Sequence, residues 1–168
     1  MCTTTVKLRN ERPMLDPITR KIHWYDEVPC GKCLECKRKI QREWVFRLSV
    51  EMEDKKSADF LTFTYDPANV PYTDTGYHTL QYSDFQKFLK RYHKKSDEKI
   101  AYFVVGEYGD ITKRPHLHAI LMNVDLDLVE DTWGKGFIHC GQVNQASITY
   151  AMKYIDKESR LPMYDGME

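Results

Sequence analysis

Apolar residues recur with a helical period in residues 37–54. Ile40, Trp44, Leu48 and Met52 are each four positions apart, which places them on one face of a helix. The charged positions between them make the opposite face basic, through Lys37, Arg38, Lys39, Arg42 and Arg47. The pattern predicts an amphipathic helix with one buried stripe and a basic solvent face.

A second helical stripe follows a loop that contains two prolines and a glycine. Its apolar positions are Phe85, Phe88, Leu89 and Tyr92. Ser83 or Asp84 is expected to cap this helix, because both residue types accept hydrogen bonds from free N–H groups at a helix start. The sequence therefore predicts a second amphipathic helix that begins near residue 83.

Four shorter segments have the composition of β-strands. They are rich in β-branched and aromatic residues, and turn-forming residues bound them. These segments are residues 60–66, 100–109, 116–123 and 137–143. A short helix or turn is predicted for residues 126–133, and a last helix for residues 145–157.

The order of these elements predicts the fold class. After the first helix it reads β-α-β-β-α-β-α, which favours a largely antiparallel sheet with helices packed on one face. This is an α+β domain of the ferredoxin-like or RNA-recognition type. Residues 1–29 are predicted to be irregular, with Pro13, Pro17 and Pro29 as breakers.

Length and composition narrow the class of protein further. A chain of 168 residues suits a single domain over residues 1–168, with residues 1–36 as an N-terminal extension. Its 42% hydrophobic and 30% charged residues are typical of a globular protein. Since no apolar run is long enough for a membrane span and the N-terminus lacks a signal core, a cytoplasmic location is expected by default. The net charge of zero argues neither for nor against nucleic acid.

Five cysteines suggest a metal site. Cys30, Cys33 and Cys36 form a C-x₂-C-x₂-C pattern, and Cys2 lies near the N-terminus. Without an export signal, such cysteines are more typical of metal ligands or free thiols than of a disulfide framework. These three thiolates, with Cys2 as the fourth ligand, would suit a structural Zn²⁺, so residues 1–36 are predicted to be a zinc-binding extension. An iron–sulfur cluster or free thiols are the alternatives. Cys140, in a predicted strand, is expected to be a buried apolar residue.

A pair of histidines begins the third predicted strand. Side chains alternate along a strand, so His116 and His118 point to one face and Leu117 to the other. Neutral imidazole is the commonest metal ligand, and two converging imidazoles indicate a divalent cation. The alternative is two unrelated half-buried histidines, because a His-x-His pattern often arises by chance.

A carboxylate near these histidines would complete a metal site. Glu107 ends the preceding strand, and a tight connection would place it beside the pair. One carboxylate and two imidazoles leave coordination positions open for water and substrate oxygens. Asp110 is the other candidate, and a solvated turn residue is the plainer interpretation of Glu107.

The last predicted helix carries two tyrosines and two lysines. Tyr150 and Tyr154 are four apart, as are Lys153 and Lys157, so each pair lies on one helical face. Spacing alone favours a core helix, because tyrosine fills apolar stripes readily. A tyrosine hydroxyl can also attack a phosphodiester and become covalently attached, with help from a nearby cation.

Three motifs taken together resemble those of the HUH endonucleases, a class of rolling-circle replication initiators and relaxases. FLTFTYD resembles the first motif of the class, a strand of the FTLTY type, and HLH at His116 and His118 resembles the second. The third, Tyr-x-x-Lys, occurs twice, from Tyr150 and from Tyr154. Two tyrosines four apart are typical of a subgroup that includes the initiators of microviruses, which are small single-stranded DNA phages.

The resemblance runs from Cys2 to Lys157. The N-terminal Met-Cys, PCGKCLEC before a basic helix with a tryptophan, GEYG before RPHLH, and YAMKYIDK are all similar to gokushovirus replication initiators of the Microviridae. Members of such families often carry further sequence after the tyrosine helix, so a trimmed endonuclease domain is expected here.

This resemblance implies a reaction and its machinery. A tyrosine, Tyr150 or Tyr154, would nick single-stranded DNA at an origin, keep the 5′ phosphate as a phosphotyrosine and leave a 3′ hydroxyl for the host polymerase; the other would later allow rejoining. Lys153 and Lys157 would assist. His116, His118 and Glu107 would hold Mg²⁺ or Mn²⁺. The implied setting is the host bacterial cytoplasm, with origin DNA and the host replication machinery as partners and no membrane.

Lys113 and Arg114 precede the histidine pair and are the first candidates for phosphate contacts. Two other functions remain compatible with the residues. One is a zinc-containing RNA- or DNA-binding module of ferredoxin-like fold without catalysis. The other is a metal-dependent nuclease that uses water, in which the tyrosines are structural.

Overall fold

The N-terminal part of the chain forms a β-hairpin. The computed structural model describes residues 2–156, without the side chains of residues 145 and 154–156. Two compact units are present, Met1–Trp44 and Val45–Glu168. In the first unit, β1 (Thr5–Leu15) pairs antiparallel with β2 (Ile22–Pro29).

The prediction that residues 1–29 are irregular is therefore wrong. The three prolines occupy positions where a hairpin tolerates them. Pro13 lies where the β1–β2 register shifts, Pro17 lies in the turn and Pro29 ends β2. The turn is held by Asp16, whose carboxylate accepts from the N–H groups of Ile18 and Thr19 at 2.8 and 2.7 Å.

Helix α1 (Leu34–Glu53) confirms the first predicted helix; it begins in the first unit and ends in the second. The remaining elements are β3 (Ala58–Phe63), α2 (Tyr82–His93), β4 (Ala101–Tyr108), β5 (Pro115–Met122), α3 (Leu126–Trp133), β6 (Ile138–Gln142) and α4 (Gln145–Asp156). The four strands among these remaining elements form one sheet in the order β4-β5-β3-β6, in which all neighbouring strands are antiparallel. The α+β class and the β-α-β-β-α-β-α order are confirmed.

One face of this sheet carries the main hydrophobic core. The β3 and β5 residues of this face that are at most 2% exposed are Leu61, Phe63, Leu117, Ala119 and Leu121. Helices α2 and α3 cover them with residues of the same buried cluster. The ring of Phe63 lies 5.1 Å from that of Phe88 and 5.0 Å from that of Trp133, measured between centroids. Alternation along β3 and β5 thus leaves the other face for different side chains.

Helix α4 packs on that other face. Phe60, which precedes Leu61 on β3 and therefore points the opposite way, meets the ring of Tyr150 with centroids 6.2 Å apart. The expectation that all helices pack on one face is wrong. A four-stranded sheet has two faces to cover, and α4 carries its own apolar stripe of Ile148, Ala151 and Met152, each at most 3% exposed.

The predicted cap of α2 is also wrong. The N-cap is Gln81, without a side-chain hydrogen bond. Asp84 lies in the first turn and is buried, where the Tyr65 hydroxyl donates to it at 3.4 Å and the Lys135 ammonium lies 3.3 Å away. The carboxylate thus pairs with tertiary partners instead of the helix start. Among residues 2–156, no helix is both long and apolar enough to cross a membrane.

Candidate active site

The histidine pair lies on the sheet face that α4 covers. In the antiparallel register His118 of β5 stands between Val105 of β4 and Thr62 of β3. His116, two residues earlier, points to the same face. His118 is 6% exposed and its ring stacks on Phe60 at a centroid distance of 5.8 Å. The predicted common face of the two imidazoles therefore belongs to the central strands of the sheet.

Thr62 fixes one side of the His118 ring. Its hydroxyl lies 2.9 Å from Nδ1 of His118. A hydroxyl donates or accepts, so it satisfies Nδ1 in either tautomer of the imidazole. The ring orientation is thereby fixed while Nε2 stays directed towards β4.

Glu107 lies on the other side of His118. In the β4–β5 register it is directly opposite His116, and Nε2 of His118 donates to its Oε2 at 2.9 Å. Both side chains are largely buried, at 8% and 14% exposure. Asp110, the alternative, lies beyond the end of β4 and is exposed. Glu107 therefore contacts His118 and lies opposite His116 in the strand register.

His116 is less deeply buried than His118. Burial lowers the pKa of His116, the neighbouring His118 lowers it further, and Glu107 opposes both effects. A lowered pKa keeps the imidazole neutral, as a metal ligand requires.

The ligand atoms of the two histidines and Glu107 are further apart than those of the four cysteines. Among the residues that the structure describes, the four cysteines have all their ligand atoms within 4.8 Å of one another, whereas the ligand atoms of the histidine–glutamate trio do not meet this spacing.

Tyr150 of α4 contacts this site directly. Its ring meets the His118 ring edge to face, with centroids 5.8 Å apart. The Nζ atom of Lys153 lies 5.6 Å from the centroid of the Tyr150 ring. The structure thus brings together Glu107, His118, Tyr150 and Lys153 from three separate elements.

The placement of Tyr150 follows from how α4 begins and packs. Asn144 and Ser147 cap the helix reciprocally, with bonds of 2.8 and 2.9 Å between the backbone N–H of each and the side chain of the other. The buried stripe of α4 then leaves Tyr150 at its border, 42% exposed. An open cavity of about 610 Å³ lies along this side of α4, lined by Ala146, Thr149, Tyr150 and Lys153.

The second half of the tyrosine motif is outside the described residues. The backbone of Tyr154 belongs to α4, but its side chain is not described, and neither is Lys157. Their predicted catalytic roles stay predictions.

The two residues predicted to contact DNA phosphate, Lys113 and Arg114, lie near the site, and each donates a hydrogen bond to a backbone carbonyl. Arg114 donates through Nη2 to the Tyr65 carbonyl at 2.5 Å. Lys113 donates through Nζ to the Asp110 carbonyl at 2.8 Å. Contact with phosphate stays a prediction for both residues.

The cysteines of the first unit come together as predicted. Cys2, Cys30, Cys33 and Cys36 place their sulfurs within 4.8 Å of one another. Cys140 is exposed, so the expectation that it is buried is wrong. Within the part of the chain that the structure describes, it lies on β6, an edge strand of the sheet.

Sequence reasoning missed Phe60 and Thr62 as individual site residues. Both lie in FLTFTYD, and alternation along that segment would have placed them on one face, but nothing local indicated that the face is that of the histidines. His139 was also assigned no role. It pairs with Thr62 across β3 and β6 and so lies on the site face.

Comparison with known proteins gives consistent matches. The sequence model of a family of replication-associated proteins, the ORF2 family, matches residues 58–159. Replication-associated protein VP4 of Bdellovibrio phage phiMH2K is 31% identical over an alignment that covers 77% of this chain and 48% of that protein. Replication-associated protein ORF2 of Spiroplasma virus 4 is 28% identical over an alignment that covers 85% of this chain and 52% of that protein. The chain thus spans about half the length of these curated relatives.

One solved structure is also similar. It is the hypothetical protein ORF119 from Sulfolobus islandicus rod-shaped virus 1, at 18% identity and a TM-score of 0.43 over 76% of this chain and 98% of that chain. A likeness of this size is too low to assign a fold.

Proposed function

The chain belongs to the replication-associated protein ORF2 family, and from this premise we propose that it nicks and rejoins single-stranded DNA to start rolling-circle replication. The reaction would be metal-dependent and would pass through a covalent 5′-phosphotyrosine. The observation that carries the proposal is the contact of His118 with both Glu107 and the ring of Tyr150. The antiparallel sheet with its β-α-β-β-α-β core supports a ferredoxin-like fold of the HUH class.

The contact between His118 and Glu107 supports a divalent cation at this site. Adjacent ligands of an octahedral ion with bonds of about 2.1 Å stand about 3.0 Å apart. The 2.9 Å between Nε2 of His118 and Oε2 of Glu107 is close to this spacing. Two imidazole nitrogens and a carboxylate suit Mn²⁺ and Mg²⁺, so His116, His118 and Glu107 would hold the ion. Bound there, it would polarise the scissile phosphate and offset its developing charge.

Thr62 would act as a positioning residue in this site. When Nε2 of His118 serves as a ligand, the ring proton must sit on Nδ1. The Thr62 hydroxyl, 2.9 Å away, accepts that proton's hydrogen bond. Such a partner fixes the tautomer and the orientation of a ligand histidine.

Tyr150 would be the first nucleophile. Its phenolic oxygen would attack phosphorus, so that the Tyr–O–P bond forms as the bond to the 3′ oxygen breaks, and the 3′ oxygen leaves with a proton as a hydroxyl. A free phenol has a pKa of about 10, so the attack needs assistance at neutral pH. The Lys153 ammonium, 5.6 Å from the centroid of the Tyr150 ring, would pair with phosphate oxygens and offset the charge that develops during the attack.

Rejoining would use the same chemistry in reverse. A second tyrosine, Tyr154, would cleave the regenerated origin, and the 3′ hydroxyl released would attack the first phosphotyrosine. The new phosphodiester forms as the Tyr150–phosphate bond breaks, so no nucleotide cofactor is consumed. The proposal includes the single-stranded origin and the host replication machinery as partners, in the host bacterial cytoplasm.

The test is adduct formation on labelled single-stranded oligonucleotides that tile the genome encoding this chain. The protein is incubated with Mn²⁺ or in metal-free buffer, and the products are separated on a denaturing gel. The variants are Tyr150→Phe, Tyr154→Phe and the double variant. Tyr72→Phe is the matched control, because Tyr72 is an exposed tyrosine in the loop before α2.

We expect a Mn²⁺-dependent adduct that the Tyr72 variant retains and the Tyr150 and double variants lose. An adduct in the Tyr150 variant but not in the Tyr154 variant would contradict the order of attack. Cleavage without any adduct would point to a nuclease that uses water. Binding without cleavage on the complete set of oligonucleotides would favour a nucleic-acid-binding module.

A further inference from the structure

Four cysteine sulfurs meet in the first unit. Cys2 precedes β1, Cys30 follows β2, Cys33 lies in the next turn and Cys36 lies in the first turn of α1. The Sγ–Sγ distances are 3.7 Å for Cys2–Cys30, 3.8 Å for Cys33–Cys2 and 4.0 Å for Cys30–Cys36. Three separate parts of the chain thus deliver their thiols to one point.

The spacing of these sulfurs matches ligands around one ion. Zinc–sulfur bonds of about 2.3 Å in a tetrahedron place the sulfurs about 3.8 Å apart. A sulfur–sulfur bond would bring a pair to about 2.05 Å. The observed separations of 3.7 to 4.0 Å therefore agree with tetrahedral coordination and not with disulfides.

Backbone N–H groups point at the same sulfurs. The N–H of Cys30 donates to Sγ of Cys2 at 3.4 Å, and the N–H of Cys33 donates to Sγ of Cys30 at 3.3 Å. The turn that allows this contains Gly31 at φ +72°, a conformation that glycine adopts without strain. Such donors stabilise thiolate, the form of cysteine that binds metal.

Nearby charge suits a negatively charged metal centre. Four thiolates around a divalent ion carry a net charge of −2, and Lys32 and Lys37 directly neighbour the cysteines in sequence. The first unit holds ten lysine and arginine residues against six aspartate and glutamate residues. Cys36 is 5% exposed and the other three are half-buried, so the cluster is largely sealed from water.

We propose that Cys2, Cys30, Cys33 and Cys36 bind one structural Zn²⁺. The four ligands close the tetrahedron, which leaves no open position for a substrate or a reactive water. The ion would tie the N-terminus to the end of the hairpin and to the start of α1. Because the first unit has few buried side chains, this ion would supply much of its stability.

Ligand chemistry separates this zinc site from the proposed cleavage site. Sulfur ligands select Zn²⁺, whereas two imidazoles and a carboxylate suit Mg²⁺ or Mn²⁺. Zinc content and thiol reactivity are measured without DNA. Failure of either proposal is therefore distinguishable from failure of the other.

The first measurement is elemental analysis of the full chain, purified without added metal and passed through a desalting column with EDTA. We expect about one zinc per chain, as four thiolates bind zinc tightly. Cys33→Ser and Cys36→Ser should reduce zinc at least several-fold. Cys140→Ser is the matched control and should keep it, because Cys140 lies on β6 and outside the cluster.

Thiol counting on the unmodified chain keeps the test decisive if the cluster variants fail to fold. With zinc bound, Ellman's reagent should react rapidly with Cys140 alone, since it is the exposed thiol among the five. Denaturation with a chelator should release all five. Five rapidly reacting thiols in the native, zinc-free chain would overturn the proposal, and so would stoichiometric iron or a disulfide in place of zinc.

Discussion

Replacing Thr62 by valine tests whether His118 is positioned as a metal ligand. Valine keeps the shape of threonine but removes the hydroxyl that lies 2.9 Å from Nδ1 of His118. His118 is 6% exposed, so water cannot readily replace the lost partner. The tautomer with Nε2 free for a metal would then lose the hydroxyl that accepts a hydrogen bond from Nδ1–H.

The expected size of the effect follows from the loss of that hydrogen bond. Leaving a buried polar group without a partner costs about 1–3 kcal/mol. Removing the partner of a ligand histidine typically weakens metal binding by about 10–100-fold, which is about 1.4–2.7 kcal/mol. The two estimates agree, so we expect Thr62→Val to raise the half-saturating Mn²⁺ concentration by about 10–100-fold.

The assay is Mn²⁺ binding followed by electron paramagnetic resonance, with Mn²⁺-dependent adduct formation as a second readout. Thr62→Ser retains the hydroxyl and should stay close to the unmodified protein. Thr64→Val is the control, because that hydroxyl is bonded to the Phe137 carbonyl at 2.8 Å and not to the site. Unchanged Mn²⁺ binding in Thr62→Val, or equal weakening in Thr62→Ser, would refute the reasoning.

Three further predictions concern stability. Phe63→Ala should cost about 3–5 kcal/mol in urea unfolding, because Phe63 is fully buried among aromatic rings; a loss below about 1 kcal/mol would contradict this packing. Asp84→Ala should lower the free energy of unfolding by about 1–3 kcal/mol, because Lys135 loses its buried partner. Asp131→Ala is the control; it breaks an exposed ion pair and should cost less than about 1 kcal/mol. Equal losses of stability in the two variants would refute the distinction between the buried and the exposed pair. Burial, and then the neighbouring Asp84, raise the pKa of Tyr65, so the folded protein disfavours the phenolate of this residue. The stability that neutral Tyr65 contributes is therefore present below pH about 10 and falls as pH rises above that value. Tyr65→Phe should flatten this alkaline decline, and an identical pH profile in both proteins would count against it.

Local patterns in the sequence account for the elements and for the grouping of the site residues. Helical periods placed α1 and α2, and alternation placed His116 and His118 on one face of β5, because both depend only on neighbours along the chain. The cysteine spacing predicted a cluster for the same reason, with three of the four thiols within seven residues. Proline as a breaker misled the prediction for β1 and β2, since a two-stranded hairpin has free edges where proline is tolerated.

Contacts between distant parts of the chain were decided only by the tertiary structure. Thr62 and His118 are 56 residues apart, and they meet because β3 and β5 are neighbours in the order β4-β5-β3-β6. The register between β4 and β5 places Glu107 opposite His116. Tyr150 reaches His118 because α4 covers the face that α2 and α3 leave open. Periodicity identifies which residues share a face, but the choice of the opposing element depends on strand order and on the burial of the whole sheet.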